Sequence, residues 1–252
     1  MKEITIIGTG NVAFHFCNIF TEKKINLQLY ARNKVTRQEF INKFNLREIN
    51  SLSQIKNQFV LVCVNDDEIL GLISELDDSN KIAYASGTVE LNKLVHKSNL
   101  GVFYPLQSFS KERKLDYSHI PFLIEANNEY FNQELFDLAW SISNKVEFAN
   151  SEKRKKIHLA AVFANNFTNH LLKISKDILD QNEIDWNLLE PLIKETVSKA
   201  IELDPDNAQT GPAKRNDLNT IQKQIEQLDS NSKEIYTQVT NSILENYGYK
   251  KL

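Results

Sequence analysis

The stretch Ile4-Thr5-Ile6-Ile7-Gly8-Thr9-Gly10-Asn11-Val12-Ala13 decides the fold. A run of mostly β-branched apolar residues leads straight into G-x-G-x-x-A. Beyond it Val12, Ala13, Phe16, Ile19 and Phe20 fall at helical spacing. Strand, glycine turn and helix in that order make up the pattern of a dinucleotide phosphate site. Gly8 permits the tight turn and Gly10 lets the backbone approach a pyrophosphate. Ala13, in place of a third glycine, still allows close helix–strand packing. The first N–H groups of the helix, with its dipole, then favour the anion. The same residues also suit a tight turn with no ligand, but the strand-turn-helix setting favours the phosphate.

Working outward, residues 1–149 alternate short apolar runs with helical patterns. The runs are Ile4–Gly8, Leu27–Ala31, Phe59–Val64, Lys81–Ala85, Gly101–Tyr104 and Pro121–Ala126. They lack strict alternation, which suits strands buried on both faces of a parallel sheet. Asp66 and Asp67 are placed to cap the helix that carries Ile69, Leu70, Leu72 and Ile73. Phe131–Asn144 reads as another helix. The expected fold is α/β, a Rossmann doubly wound parallel sheet, with the ligand crevice at the C-terminal ends of its strands.

The pattern changes near Asn150-Ser151. No convincing strand follows, Ser151 is a plausible N-cap, and a long helix is expected from Glu152 to about Gln181. Further helices are expected at Asp185–Leu203, Asp217–Gln227 and Asn231–Tyr247, with a Gly/Pro-containing loop before Asp217. Residues 150–252 therefore read as an all-α domain. Its broad apolar faces suggest packing on the first domain or on a second copy of the chain, so a homodimer through the helical domain is expected.

The chain has 252 residues and 41% hydrophobic residues, enough for two domains with real cores. Its net charge of −3 gives no basic field for nucleic acid. Lys153, Arg154, Lys155 and Lys156 form the one dense basic run and read as a solvated face. Cys17 and Cys63 fit no metal pattern and read as reduced core thiols, so no metal is expected and the location expected is cytoplasmic. Gly8 and Gly10 interrupt the first apolar run, so no signal peptide is expected, and no run is long enough for a membrane span.

The second strand ends Tyr30-Ala31-Arg32-Asn33. In NAD-preferring sites an acid about 20 positions after the glycines binds the ribose hydroxyls. Here no acid is near, and Arg32 offers a planar, permanent cation suited to a 2′-phosphate. The expectation is NADP(H). Arg32 and Asn33 would take the phosphate, Gly8, Thr9, Gly10, Asn11 and Val12 the pyrophosphate turn, and Val64 and Asn65 the adenosine side. Arg32 as a plain surface residue is the alternative.

Three polar groups are candidates for chemistry. Ser86-Gly87-Thr88 closes the fourth strand, where Ser86 and Thr88 either face the nicotinamide or substrate, or form a turn with Thr88 as N-cap. Tyr104 ends the fifth, as a hydrogen-bonding or proton-donating group or as a packing tyrosine. Gln107 and Ser108 follow it. On the long helix, at roughly 100° per residue, His158, Val162, Asn165 and Asn169 share one stripe. Such polar side chains need partners if buried, either a substrate or an internal network. His158 titrates near neutrality and is the best acid or base. In the loop before the last helices, Arg215 could clamp a substrate anion or close over the cofactor phosphate, and Asp217 could cap a helix.

The Gly8–Ala13 fingerprint, Ser86-Gly87, Pro105-Leu106-Gln107, the His158–Asn166 helix and Thr210-Gly211-Pro212 with Arg215 and Asp217 resemble one family over essentially the full length. It joins a Rossmann-like N-terminal domain to a domain of unknown function, number 2520. Members commonly carry His before the Pro-Leu, where this chain has Tyr104. More distantly the layout resembles the 6-phosphogluconate dehydrogenase-like superfamily, pyrroline-5-carboxylate reductase among them. The resemblance implies hydride transfer between NADP(H) and a small carbonyl or imine substrate, and a dimer through the helices. The residues themselves suggest an anionic substrate, with Asn165 or Asn169 orienting it and His158 or Tyr104 handling the proton. The lysine that many hydroxyacid dehydrogenases of that group carry on the long helix has no clear counterpart, since Lys153 and Lys156 lie too near the helix start. A non-catalytic NADP-binding regulatory or scaffold protein is the competing reading.

Overall fold

The computed structural model describes residues 3–93 and 97–252. Packing divides the chain into two compact units, Met1–Phe167 and Thr168–Leu252. In the first unit β1 (Glu3–Ile7), α1 (Asn11–Glu22), β2 (Asn26–Tyr30), α2 (Lys34–Phe44) and β3 (Arg47–Glu48) are followed by β4 (Phe59–Val62), α3 (Asp66–Glu75) and β5 (Lys81–Tyr84). Then come β6 (Asn99–Pro105), β7 (Phe122–Ala126), α4 (Glu129–Trp140), β8 (Val146–Phe148) and α5 (Ser151–Ala161).

Among the described residues these strands form one sheet in the order β3-β2-β1-β4-β5-β6-β7-β8. It is a Rossmann sheet, and its order reverses between β1 and β4. Successive side chains point to opposite faces and nearly all are apolar. Ile4, Ile6, Phe59, Leu61 and Phe103 join Phe16, Phe20, Phe131 and Leu135 on one face. Ile7, Val60, Val62, Ile82 and Val102 meet Ile69, Leu72 and Ile73 of α3 on the other. A side chain of this kind, fully buried, contributes about 1.5–3 kcal/mol. That is why these strands read as unbroken apolar runs.

Several expectations about the first unit are corrected. The sheet is not wholly parallel, because β7 runs antiparallel to β6. The connection from Leu106 to Pro121 contains no α-helix, and parallel strands need such a crossover. Asp66 and Asp67 do not cap α3; they lie in its first turn after Asn65, favourably placed against the helix dipole. The N-cap of α5 is Asn150, whose side chain accepts from Lys153 N, and Ser151 is the first helical residue.

The basic run is not all solvated. Lys153, Lys155 and Lys156 pair with Glu147, Glu90 and Glu152. Arg154 is fully buried. It pairs with Glu125 of β7 and also donates to Val89 O. Ser151 Oγ donates to the same Glu125 carboxylate and accepts from Leu91 N. The start of α5 is thereby fastened to the sheet. Removing one member of a buried charge pair typically costs about 3–5 kcal/mol.

The expected uninterrupted helix from Glu152 to Gln181 is broken by a π turn, Val162–Phe167, before α6 (Thr168–Gln181). The wider i→i+5 turn departs from the 100° per residue assumed for the stripe, yet His158, Val162 and Asn165 still line one cavity. The second unit continues with α7 (Glu190–Leu203), α8 (Pro205–Ala208), α9 (Leu218–Ile225) and α10 (Ser230–Asn246). No strand occurs among its described residues. Ala213, Ile221, Ile225 and Leu244 form its small core. Asp217 caps α9, accepting from Thr220 N at 3.1 Å. The fold is thus a Rossmann sheet followed by an all-α region.

Candidate functional site

The crevice lies where the sheet order reverses. Gly8 N donates to Tyr30 O at 3.0 Å, and Cys63 N donates to Ile7 O at 2.8 Å, which ties β1 between its neighbours. Gly8 has φ +121°, and a Cβ there would stand 2.2 Å from Cys63 O. Gly10 is the N-cap of α1, with no side-chain cap, and a Cβ on it would meet nothing within 4 Å. The first N–H groups of α1 thus keep an open approach. Beside the turn is a cavity of about 240 Å³. Free backbone donors at a helix start, with Arg32 at the cavity wall, fit a pyrophosphate and a further phosphate ester.

Of the residues expected at the cofactor, Gly8, Thr9, Gly10, Arg32, Asn33, Val64 and Asn65 line this cavity. Asn11 and Val12 do not. Asn11 Nδ2 donates to Phe109 O at 2.8 Å, and Val12 packs on the core. The Asn33 side-chain oxygen caps α2, accepting from Val35 N and Thr36 N at 2.9 and 3.1 Å. Thr9 Oγ1 lies 2.9 Å from Thr36 Oγ1. Arg32 Nη1 is 2.9 Å from Glu68 Oε1.

A second cavity, about 370 Å³, opens at the C-terminal end of β6. Tyr104, Gln107, Ser108, His158 and Asn165 line it. The Tyr104 hydroxyl and His158 Nδ1 are 2.9 Å apart. Burial, with the Asp66 carboxylate adding to it, pushes the Tyr104 hydroxyl above the ordinary phenol range. Tyr104 is therefore a phenol at neutral pH, able to donate. Gly87 makes room for the ring: a Cβ there would be 2.4 Å from His158 Nδ1. Thr88 Oγ1 donates to Asp66, joining the turns after β5 and β4. His158 also borders a larger cavity of about 670 Å³ with Thr88, Glu90 and Lys155.

The loop after β6 is held from behind by α1. His15, 1% exposed, has Nε2 at 3.0 Å from Ser110 O and Nδ1 at 2.8 Å from the Tyr117 hydroxyl. A carbonyl only accepts, so Nε2 carries a proton and donates to Ser110 O, while Nδ1 shares the second hydrogen bond with the Tyr117 hydroxyl.

Three further residues were expected at the substrate. Ser86 is buried, and its Oγ accepts from Thr88 N and Val89 N at 3.1 and 3.0 Å, which shapes the turn. Asn169 and Arg215 belong to the second unit, where both are exposed. Asn165 and Asn166 are exposed as well, so no buried polar network forms on this helix face. Sequence reading missed Glu68, His15 and the contact of Gly87 with His158. Glu68 had a usable signal, because the first turn after β4 must lie at the switch-point crevice.

A Rossmann sheet with its glycine turn, followed by helices, defines the class of two-part dinucleotide-binding proteins. Residues 120–243 match the family described as Domain of unknown function (DUF2520). The chain belongs to this family. No curated protein matches its sequence. Among solved structures it is similar to a Bacteroides fragilis protein named "putative NADP oxidoreductase BF3122". That match has 33% identity and a TM-score of 0.89, over 97% of this chain and 98% of that one. The imine reductase of Myxococcus stipitatus, in complex with NADP+, shares 12% identity over 99% and 96% of the chains, TM-score 0.66. The 1-pyrroline-5-carboxylate reductase of Streptococcus pyogenes shares 13% over 97% of each, TM-score 0.60. With these last two the likeness is one of fold.

Proposed function

We propose that this chain is an NADP-dependent oxidoreductase. It transfers a hydride between NADP(H) and a small, anionic carbonyl or imine metabolite. The observation that carries the reading is the Tyr104–His158 pair, which lines a cavity in the same unit as the glycine turn. The names of the Bacteroides and Myxococcus proteins support the choice of cofactor.

The Gly8–Val12 turn holds the pyrophosphate, Arg32 and Asn33 the 2′-phosphate, and Val64 and Asn65 the adenosine side. The bound cofactor supplies the hydride. In the reducing direction Tyr104 donates its proton to the substrate oxygen or nitrogen. Protonated His158 passes its Nδ1 proton to the Tyr104 oxygen, and the pair ends as phenol and neutral imidazole. Asn165 orients the substrate, and Ser86 shapes the turn beside His158.

Titration of the chain with NADPH and NADH, followed by NADPH oxidation across keto acids and imino acids, tests the reading. Tight NADPH binding with turnover is expected. Tight binding without turnover on any of them would favour a regulatory or scaffold role, and no binding of either cofactor would sink both.

In the same reading residues 1–149 form the cofactor domain and 150–252 the substrate and dimerisation domain. The two cysteines are free and buried, and no helix among the described residues is long and apolar enough to cross a membrane. A cytoplasmic location goes with the reading. Two copies pair through the helices. Among the described residues α6 and α7 bury none of theirs, and Leu188, Leu192 and Ile201 are 69%, 61% and 80% exposed. So much apolar surface calls for a cover. Sedimentation at micromolar concentration is expected to give a dimer, and Leu192→Glu with Ile201→Glu a monomer. A wild-type monomer would end the idea.

A further inference from the structure

We propose that Glu68 sets how strongly the site discriminates NADP(H) from NAD(H), by competing with the 2′-phosphate for Arg32. The inference rests on the NADP(H) reading above. Arg32 follows β2 and Glu68 lies in the first turn of α3, after β4. These strands flank β1 on its two sides, so their C-terminal ends bring both residues to the cavity beside the glycine turn. There Arg32 Nη1 and Glu68 Oε1 are 2.9 Å apart. The end of β2 itself, Ala31-Arg32-Asn33, carries no acid. The carboxylate that reads the ribose in other dinucleotide sites thus enters this one from a different strand end.

The pair is open to water, with the Arg32 side chain 61% and the Glu68 side chain 44% exposed. Such a bridge is weak enough to open for a ligand. A 2′-phosphate must take Arg32 from Glu68 and then sit beside a like charge. NAD(H) brings a hydroxyl to the same place, which meets no repulsion and can donate to the carboxylate. Glu68 therefore lowers affinity for NADPH and spares NADH, which narrows the preference that Arg32 creates.

The test is fluorescence titration of the full chain with NADPH and NADH, in wild type, Glu68→Gln and Arg32→Gln. Glutamine keeps the shape of Glu68 and removes its charge. Glu68→Gln is expected to tighten NADPH about three- to fivefold, the upper end of what one charge interaction contributes at an exposed site. NADH should move less than about twofold, since it brings no charge to Glu68, and this also reports an intact fold. The gain should shrink at high salt. Arg32→Gln is expected to bring the two dissociation constants together. An unchanged NADPH:NADH preference in Glu68→Gln, with the preference lost in Arg32→Gln, overturns the proposal and leaves the NADP(H) reading intact. A preference untouched by Arg32→Gln overturns the role of Arg32, and with it that of Glu68.

Discussion

Gly8→Ala is expected to yield a chain that neither binds NADPH nor reaches wild-type stability. The backbone there has φ +121°, open in practice to glycine alone. The new Cβ would stand 2.2 Å from Cys63 O and 2.9 Å from its carbonyl carbon. Those are backbone atoms, and they cannot yield without disturbing the 2.8 Å bond from Cys63 N to Ile7 O. Forced backbone conformations cost about 1–3 kcal/mol, and overpacking adds a comparable amount. Either alone is a large part of a domain's net stability. Gly10→Ala is the informative contrast. Its Cβ meets nothing within 4 Å, so it should melt near wild type. It should still bind NADPH more weakly, because the methyl narrows the phosphate seat. Denaturant melts and NADPH titrations of both variants check this. Wild-type stability and affinity in Gly8→Ala would refute the placement of the turn.

Tyr104→Phe is expected to lower kcat about 10²–10⁴-fold, the usual contribution of a positioned proton donor. NADPH affinity should stay near wild type, since Tyr104 does not line the crevice beside the glycine turn. The phenol is not idle packing: its hydroxyl lies 2.9 Å from His158 Nδ1. A phenol keeps its proton through neutral pH, the state a reductase needs before hydride arrives, and burial holds this one above the ordinary range. His158→Gln should impair turnover comparably. Because the two act on one proton, the double variant should be little worse than the more damaged single one. Turnover assays on a substrate found by the keto- and imino-acid screen decide it. Additive losses would mean two separate roles, and full activity in Tyr104→Phe would remove Tyr104 from the proton path.

The strands that build the sheet centre were legible because burial on both faces leaves a mark: runs such as Phe59–Val62 have no polar gap. β3 is Arg47–Glu48, held by backbone pairing to Gln28 and Leu29, and two charged residues carry no such mark. β8 lies at the sheet edge with Glu147 and Phe148 exposed, so its pattern was weak. Tyr104 and His158 were each picked out, yet their pairing spans 54 residues and depends on α5 being fastened to the sheet. That fastening runs through Arg154, indistinguishable in a run of four basic residues except as the only arginine among lysines. The π turn was illegible for another reason: Val162–Phe167 has no charge, Gly or Pro to mark a break, and its apolar and amide residues read as a continuing helix.

The two side-chain tethers from α1 to the loop after β6 bear on how this protein opens. Asn11 holds Phe109 O, and His15 holds both Ser110 and Tyr117. Both tethers arise within the first two turns of the helix that the glycine fingerprint begins. That loop is thus not a free flap. In hydrogen exchange its backbone is expected to open with the nucleotide-binding core, as one cooperative piece, and not ahead of it. Admission of a substrate beside Tyr104 would then be coupled to the state of the nucleotide seat, with α1 as the shared lever.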